Sequence, residues 1–525
     1  MKPLLALLAL AATARAFATI ASRAPTRRIA ANAGFRQEWR NGVSSRADAL
    51  AALDEACLGV GDVLDCAGGE HVLAFCFLSR AHQDALPRVA AALEAKFGAA
   101  PHTSVAVVGG GVIGGVGDER EDGVTSEERM AVALADAAAP ALSVLAGALP
   151  RGSAVAARWL GPMRGGPAKA DGDAWRDLFD ARGDEPRGFF LFADPLSRFL
   201  RKTQRALDDH FPAVLKVGGL SAPLGDASAL ALNGELLPFG SCATLALKGP
   251  LLRLDCVTSQ GCAPVGATYT VTTVEQGQVL VELDDAPAFA AMELTGESAT
   301  PREKKLMESQ LLVGLRPAAA IREEAEKLPR RQTAGAARLR PADADCLPAE
   351  DWLVRQVIGL VPTVKRRAGW NYRLSGIDFN TGKDTPGLAI GAEVRPGDQL
   401  RFHVRDAEAA DEDMNLQFRR YGAERMFGGG AAVLGRPVAA VMFQCMGRGA
   451  ALFGDGAHDS TAFGAEFGDF VTLGGYFANG EVGPLGAITG GASRVDKRRR
   501  ETHQHEYTTV VAMIASLDDT DDTGD

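Results

Sequence analysis

Apolar positions in this chain fall into short continuous runs separated by stretches with helical spacing. Residues 71–78 (HVLAFCFL) form an unbroken apolar run of strand length. Residues 84–97 follow, with Leu86, Val89, Ala90, Leu93 and Phe97 on one helical face. A second run, 104–108, then leads into Gly109-Gly110-Gly111. A continuous run of this length fits a strand covered on both faces, and the 3.6-residue spacing fits a covering helix. The pattern returns at 188–193 (GFFLFA), 196–211 and 214–217, ending in Gly218-Gly219. It returns again at 437–445, 458–467 and 471–473, which enter Gly474-Gly475. Asn233-Gly234-Glu235 and Asn479-Gly480-Glu481 each lie a few residues beyond such a glycine pair. Strand, helix, strand, double glycine therefore reads as a repeated building block. The expected fold class is α/β, mixed sheets with helices, in two related halves built on that unit.

The segments between carry less regular signals. Residues 45–57 place Ala47, Leu50, Leu53 and Cys57 on one helical side. Thr125 and Glu128 form a capping-box pattern for an Ala-rich helix running towards Pro140. Residues 150–184 are rich in Gly, Pro and charge and read as a surface excursion. Residues 230–236 read as a strand carrying an Asn-Gly turn, and 241–247 as the strand closing the second unit. Alternation around Tyr269–Thr272 with a Gln276-Gly277 turn predicts a hairpin over 256–282. Helices are expected at 287–293 and 301–313, a helix or strand lead-in at 351–360, and a strand at 397–404. Asp406 caps a helix bearing Met414, Phe418 and Tyr421, and 508–514 reads as a final strand.

Composition narrows the function. At 525 residues, 46% hydrophobic and 23% charged, the chain has the make-up of a soluble multi-core protein. A net charge of −10 argues against nucleic acid or an anionic membrane surface as partner. Eight cysteines without a CxxC pair fit reduced thiols rather than a disulfide framework or zinc site. Residues 1–16 have the layout of a signal peptide, with an apolar stretch too short to span a bilayer. Residues 17–34 carry Arg23, Arg27 and Arg28 and no acidic residue, as a transit peptide would. Together they predict delivery to a complex plastid, with secretion as the alternative. No membrane association is expected once that leader is removed, and no cofactor is expected.

SQGCAPVGATYTVT, GDQLRFHVRDAEAADED, QCMGRGAALFG, AHD and LGGYFANGEVGPLG, in this order, resemble the FIST domain family. The resemblance divides the chain into an N-terminal FIST domain at 35–255 and a C-terminal one at 256–515. An exposed insertion is placed at 316–349 and an acidic tail at 516–525. It implies a sensory domain that binds a small ligand, with an amino acid as that ligand. No F-box-like segment or signalling output module is read beside these motifs, so neither ubiquitin ligation nor phosphorelay carries over. A protein-interaction adaptor like the F-box relatives is the competing expectation, with a protein partner in place of a metabolite.

Candidate ligand contacts follow from residue chemistry. The elbows Gly110, Gly111 and Gly114, Gly218 and Gly219, and Gly474 and Gly475 could present bare amides to an anion, or be only tight strand exits. Gly109, Gly111 and Gly114 match G-x-G-x-x-G, but no helix opens from that loop and dinucleotide binding is not expected. Arg448, flanked by glycines, is placed to grip a carboxylate or to face solvent. His458, Asn233, Asn479 and Glu481 complete the candidate set. Cys445, His458 and Asp459 could form a nucleophile, base and orienter, the alternative being an inert thiol at a strand end. His503 and His505 would share a strand face with Glu506 following, which reads as an edge-strand polar face rather than a metal site. The basic run 497–500 reads as a solvated loop.

Overall fold

The computed structural model describes residues 39–65, 70–114, 132–134, 139–318, 352–361, 371–374, 377–380, 386–427, 434–488 and 501–517. Residues 38–525 form one compact unit. Within it, each predicted strand–helix–strand unit is the parallel centre of its own sheet. In the first sheet Val72–Ser79 runs parallel to His102–Gly109, joined through the helix Leu86–Glu94. In the second, Gly188–Ala193 runs parallel to Lys216–Leu220 through the helix Arg198–His210. In the third, Arg436–Cys445 runs parallel to Thr472–Ala478 through Gly449–Phe453 and His458–Phe467. Two units fall in the N-terminal half and one in the C-terminal half.

Antiparallel strands flank each pair, and one of them is always borrowed. The chain leaving His102–Gly109 crosses to the third sheet, where Val112–Gly114 pairs with Thr472–Ala478. The chain leaving Thr472–Ala478 crosses to the second sheet, where Glu481–Gly483 pairs with Lys216–Leu220. The chain leaving Lys216–Leu220 crosses to the first, where Leu230–Leu232 pairs with His102–Gly109. The three sheets are therefore interlocked in a cycle. Each exchange covers a sheet edge that would otherwise present unpaired N–H and C=O groups.

Inward faces of the three sheets meet in one core. Phe75 and Phe77, Phe190 and Phe192, and Phe443 and Tyr476 are fully buried there. Their rings form a chain of contacts, from Phe75–Phe190 at 5.2 Å through Phe192–Phe443 at 5.8 Å to Phe443–Tyr476 at 5.7 Å between centroids. Helices cover the outer faces. Ala49–Val60, capped by Asp48 on Ala51 N, packs with Leu86–Glu94 on the first sheet. Ala407–Phe427 buries Met414, Phe418 and Tyr421 on the third, as their spacing predicts.

Between the second and third units the chain builds a closed antiparallel barrel of six strands. Its order is Cys262–Glu275, Gln399–Arg405, Leu311–Arg316, Leu353–Val361, Gly387–Ile390 and Val279–Leu283, returning to Cys262–Glu275. The helix Ala288–Ser298 buries Ala288 and Ala291 against the barrel residues Val271, Leu283 and Phe402. The predicted hairpin is present, turning at Gln276-Gly277, both with positive φ.

Several expectations change. The 150–184 excursion contains the edge strand Ala154–Leu160 and the helix Gly172–Leu178. The helix expected to 313 ends at Ser309, where a full capping box starts it at Thr300, and Leu311–Arg316 is a barrel strand. Of the Ala-rich helix towards Pro140, Val132–Leu134 is instead a strand paired to Val112–Gly114, and most of the rest lies outside the described residues. The leader, most of the 316–349 insertion and the 497–500 run also lie outside them. No helix among the described residues is long and apolar enough to cross a membrane.

Candidate functional site

Gly114, Gly218, Gly219, Gly474 and Gly475 are strand positions inside the interlock, and Gly110 and Gly111 form the bend between His102–Gly109 and Val112–Gly114. Gly218 and Gly475 have no room for a β-carbon, which would sit 1.8 Å from Leu191 O and 2.1 Å from Met442 O. Gly219 makes way for Phe443 and the Tyr476 hydroxyl, Gly474 for Leu145, Gly114 for Asn41, and Gly110 for Met446. Gly110 N–H donates to Phe477 O at 2.8 Å, and Phe477 N–H donates to Gly111 O at 3.1 Å. Close approach between strands is what these glycines supply in this structure.

Asn233 adopts positive φ in the hairpin turn, and its Oδ1 accepts from Ser104 N at 3.0 Å. It pins the borrowed strand to the first sheet, away from the C-terminal candidates. Of those candidates, Arg448 and His458 meet on Asp459, with Glu481 near enough to feel the Arg448 charge, beyond the carboxyl ends of Arg436–Cys445 and Thr472–Ala478, whereas Asn479 lines a separate groove. The carboxyl ends of those strands are the crevice position where open α/β sheets bind ligands.

Arg448 is fully buried and grips Asp459 through Nε at 2.8 Å and Nη2 at 3.1 Å. Asp459 also accepts from the Thr509 hydroxyl, and His458 bridges it to Asp411, both at 3.2 Å. Burial pushes the Asp459 carboxyl up, but the Arg448 charge and the hydrogen bonds outweigh it and hold it far below the usual carboxylate range. Arg448 is thus committed to a carboxylate of its own chain. Glu481 accepts from the Thr508 hydroxyl at 2.6 Å, and burial pushes its carboxyl up to about 8. Cys445 lies beside it, and burial raises that thiol to about 12, well out of the range of a nucleophile. Arg405 from the barrel stacks over Tyr507 at 5.4 Å. Arg405 Nε and Nη2, Arg448 Nη1, both Gln444 amide atoms, Glu481 Oε1 and the Tyr476 hydroxyl are buried without a hydrogen-bond partner among the described residues. Tyr507, a non-glycine residue at φ 63°, joins the two flanking strands. Strain of this kind collects at functional sites.

Residues 479–480 and 501–506, next to Glu481 and Tyr507 in the chain, wall an open groove of about 760 Å³. It lies between the second sheet with its helix Arg198–His210 and the barrel strand Leu353–Val361. Arg201, Arg355, Asn479, Gly480, His503 and Glu506 are among its lining residues. His503–His505 is the edge strand of the second sheet, as read, with the two rings 6.1 Å apart. His505 Nε2 donates to Gly483 O at 3.0 Å. Burial keeps both imidazoles neutral, pushing His503 down to about 4 and His505 to about 3. No cluster of three metal-ligating side chains occurs among the described residues. Sequence reasoning did not single out Arg201 or Arg355. The available signal for Arg355 was a lone cation inside the apolar run DWLVRQVIGL.

An interlocked α/β core, a barrel closed against it and an open groove of metabolite size between them define a small-ligand-binding scaffold. Two family profiles match this chain, the FIST N domain over residues 72–286 and the FIST C domain over 376–484. Together they cover more than half of it, and the chain belongs to the FIST domain family, whose domains are sensory modules implicated in signal transduction. An uncharacterized protein of Mycobacterium tuberculosis is 29% identical over 229 residues, 44% of this chain and 46% of that protein. An uncharacterized protein of Mycobacterium bovis is 27% identical over a segment of the same length, 45% of its own chain. The chain therefore spans just under half the length of these relatives.

Proposed function

We propose that this protein is a sensor that reversibly binds a small polar metabolite, an amino acid or a close relative, in the groove between the second sheet and the barrel. The observation that carries this reading is the groove itself. Its volume suits a small ligand, and its walls draw on the helix Arg198–His210, the barrel strand Leu353–Val361 and the segments 479–480 and 501–506. Asn479 and Gly480, from the motif by which the family resemblance was read, lie in that wall.

A ligand that binds only the folded form stabilises it by about 2.7 kcal/mol at a hundredfold excess over Kd. Thermal unfolding of the purified protein against a panel of amino acids and central metabolites is the test, with native mass spectrometry to detect a retained small mass. A raised melting temperature that is lost on Asn479→Ala or Arg355→Gln supports the reading. No shift and no retained mass across the panel moves the weight to the adaptor reading. Delivery to a complex plastid belongs to the same proposal. Residues 1–34 fused to a fluorescent reporter should reach the plastid, and secretion of the reporter would refute it.

A further inference from the structure

The charged groups lining the groove differ in how far their own chain already satisfies them. Its acidic side chains are committed. Asp208 receives the buried Lys216 ammonium at 2.9 Å and the Thr502 hydroxyl at 2.8 Å. Asp398 accepts from the Ala318 and Arg395 amides, both at 2.9 Å. Glu506 accepts from Gln356 N at 3.2 Å, Glu393 faces Arg205 at 3.5 Å, and Glu501 is partnered as well.

Three of the arginines are not matched in this way. Arg355 is only 7% exposed, yet its one hydrogen bond among the described residues is from Nη1 to Val354 O at 2.8 Å. Neither Arg355, Arg201 nor Arg395 has a carboxylate within ion-pair distance among the described residues. Arg355 comes from the barrel and Arg201 from the helix Arg198–His210, so they approach the groove from opposite walls. Burial pushes Arg355 down to about 10; the Glu506 carboxylate, which stays beyond ion-pair distance, offsets part of this, and the Arg201 charge adds to it. A buried guanidinium is held in place at a cost unless an anion completes it.

We infer that the ligand of this groove is net anionic and carries two acidic groups, one held by Arg355 and one by Arg201 from the opposite wall. Among amino acids this selects the acidic ones, and beyond them the small dicarboxylates. The inference rests on the proposed sensor function and specifies its ligand. A guanidinium fork matches a carboxylate with two parallel N–H···O bonds, which sets the expected selectivity.

The experiment is isothermal titration of the full chain with glutamate, aspartate and succinate, against alanine, glutamine and lysine at equal ionic strength. The acidic compounds should bind at least about tenfold more tightly than the neutral ones, as one charge-assisted contact implies. Arg355→Gln and Arg201→Gln should each remove about tenfold or more of that affinity. Arg201 is exposed, so its variant keeps the fold even if the buried position does not tolerate change. Neutral amino acids binding as tightly as acidic ones, or acidic binding unchanged in Arg201→Gln, would overturn the inference and leave the sensor reading standing. Binding by none of the compounds would overturn the inference as well, and the sensor reading would then stand or fall on the wider panel.

Discussion

The Arg448–Asp459 pair allows the most demanding test of the buried site, because its two partners are unequally supported. Both side chains are 0% exposed, and two hydrogen bonds join them. Breaking a buried pair by removing one partner costs about 3–5 kcal/mol, since the survivor is left charged and desolvated. In Arg448→Met the surviving Asp459 keeps the Thr509 hydroxyl and His458. In Asp459→Asn the surviving Arg448 loses its one ion-pair partner among the described residues and keeps the Phe453 ring at 5.5 Å. Asp459→Asn should therefore sit near the upper end, about 5 kcal/mol, and Arg448→Met near the lower, about 3 kcal/mol. Arg448→Met combined with Asp459→Leu leaves no buried charge and should recover most of the loss. Urea unfolding at pH 7, read as midpoint and slope, measures each. The sign with pH is also fixed. The folded carboxyl lies below its unfolded value, so its contribution is present above about pH 4 and is lost as acid titrates it. Asp459→Asn should lack that acid limb. Single variants costing under about 1 kcal/mol, or a double variant that costs the sum, would refute the reasoning.

Three shorter predictions address the same region. Glu481 is raised to about 8, so the fold loses stability as pH rises from about 4.5 to 8; Glu481→Gln should flatten that window in pH-dependent thermal unfolding, and an unchanged slope would show the carboxyl to be solvated. Gly218→Ala should prevent folding or cost more than about 2 kcal/mol, because its β-carbon meets Leu191 O, whereas Gly165→Ala, with nothing within 4 Å, should be neutral to thermal unfolding. Cys445 should resist a thiol-reactive probe in the native protein at pH 7.5, its thiol being raised to about 12, and fast labelling there would revive a Cys–His hydrolase.

Much of the framework was legible because it obeys local periodicity. The strand Val72–Ser79 and the run GFFLFA are each buried along their whole length, which is why they read as unbroken apolar strands. The helix 458–467 matches its predicted bounds. The interlock was not legible, because Val112–Gly114 and Glu481–Gly483 are three-residue strands, each with one partner hundreds of positions away. The recurrent double glycines signalled it, but a glycine pair has the same sequence whether it cradles an anion or admits a neighbouring strand. Arg448, read from the sequence as a cation for a ligand carboxylate or for solvent, is buried and committed to Asp459 across the segment between Cys445 and His458. Arg201 and Arg355 gain their meaning only when a helix and a barrel strand are brought face to face.

The cyclic exchange of strands has a consequence for how the chain can be divided. A fragment ending at residue 255 keeps both N-terminal units but loses Glu481–Gly483 and His503–His505 from the second sheet. Val112–Gly114 loses Thr472–Ala478, its central partner. The shared core loses Phe443, Tyr476, Val510 and Ala512, leaving Phe75, Phe77, Phe190 and Phe192 open to water on one side. Each buried aromatic or aliphatic side chain so exposed forfeits about 1.5–3 kcal/mol, and a few such losses equal the whole stability of a typical domain. Residues 35–255 expressed alone should therefore show secondary structure by far-UV circular dichroism but bind a hydrophobic dye and unfold without a cooperative transition. Co-expression with residues 256–517 should restore a single sharp transition, since the missing strands and rings would be supplied in trans. Cooperative two-state unfolding of the isolated fragment would mean that the first two sheets close on themselves. The groove, built from Arg201 on one side and Arg355 on the other, would then join two independent bodies rather than lie within one.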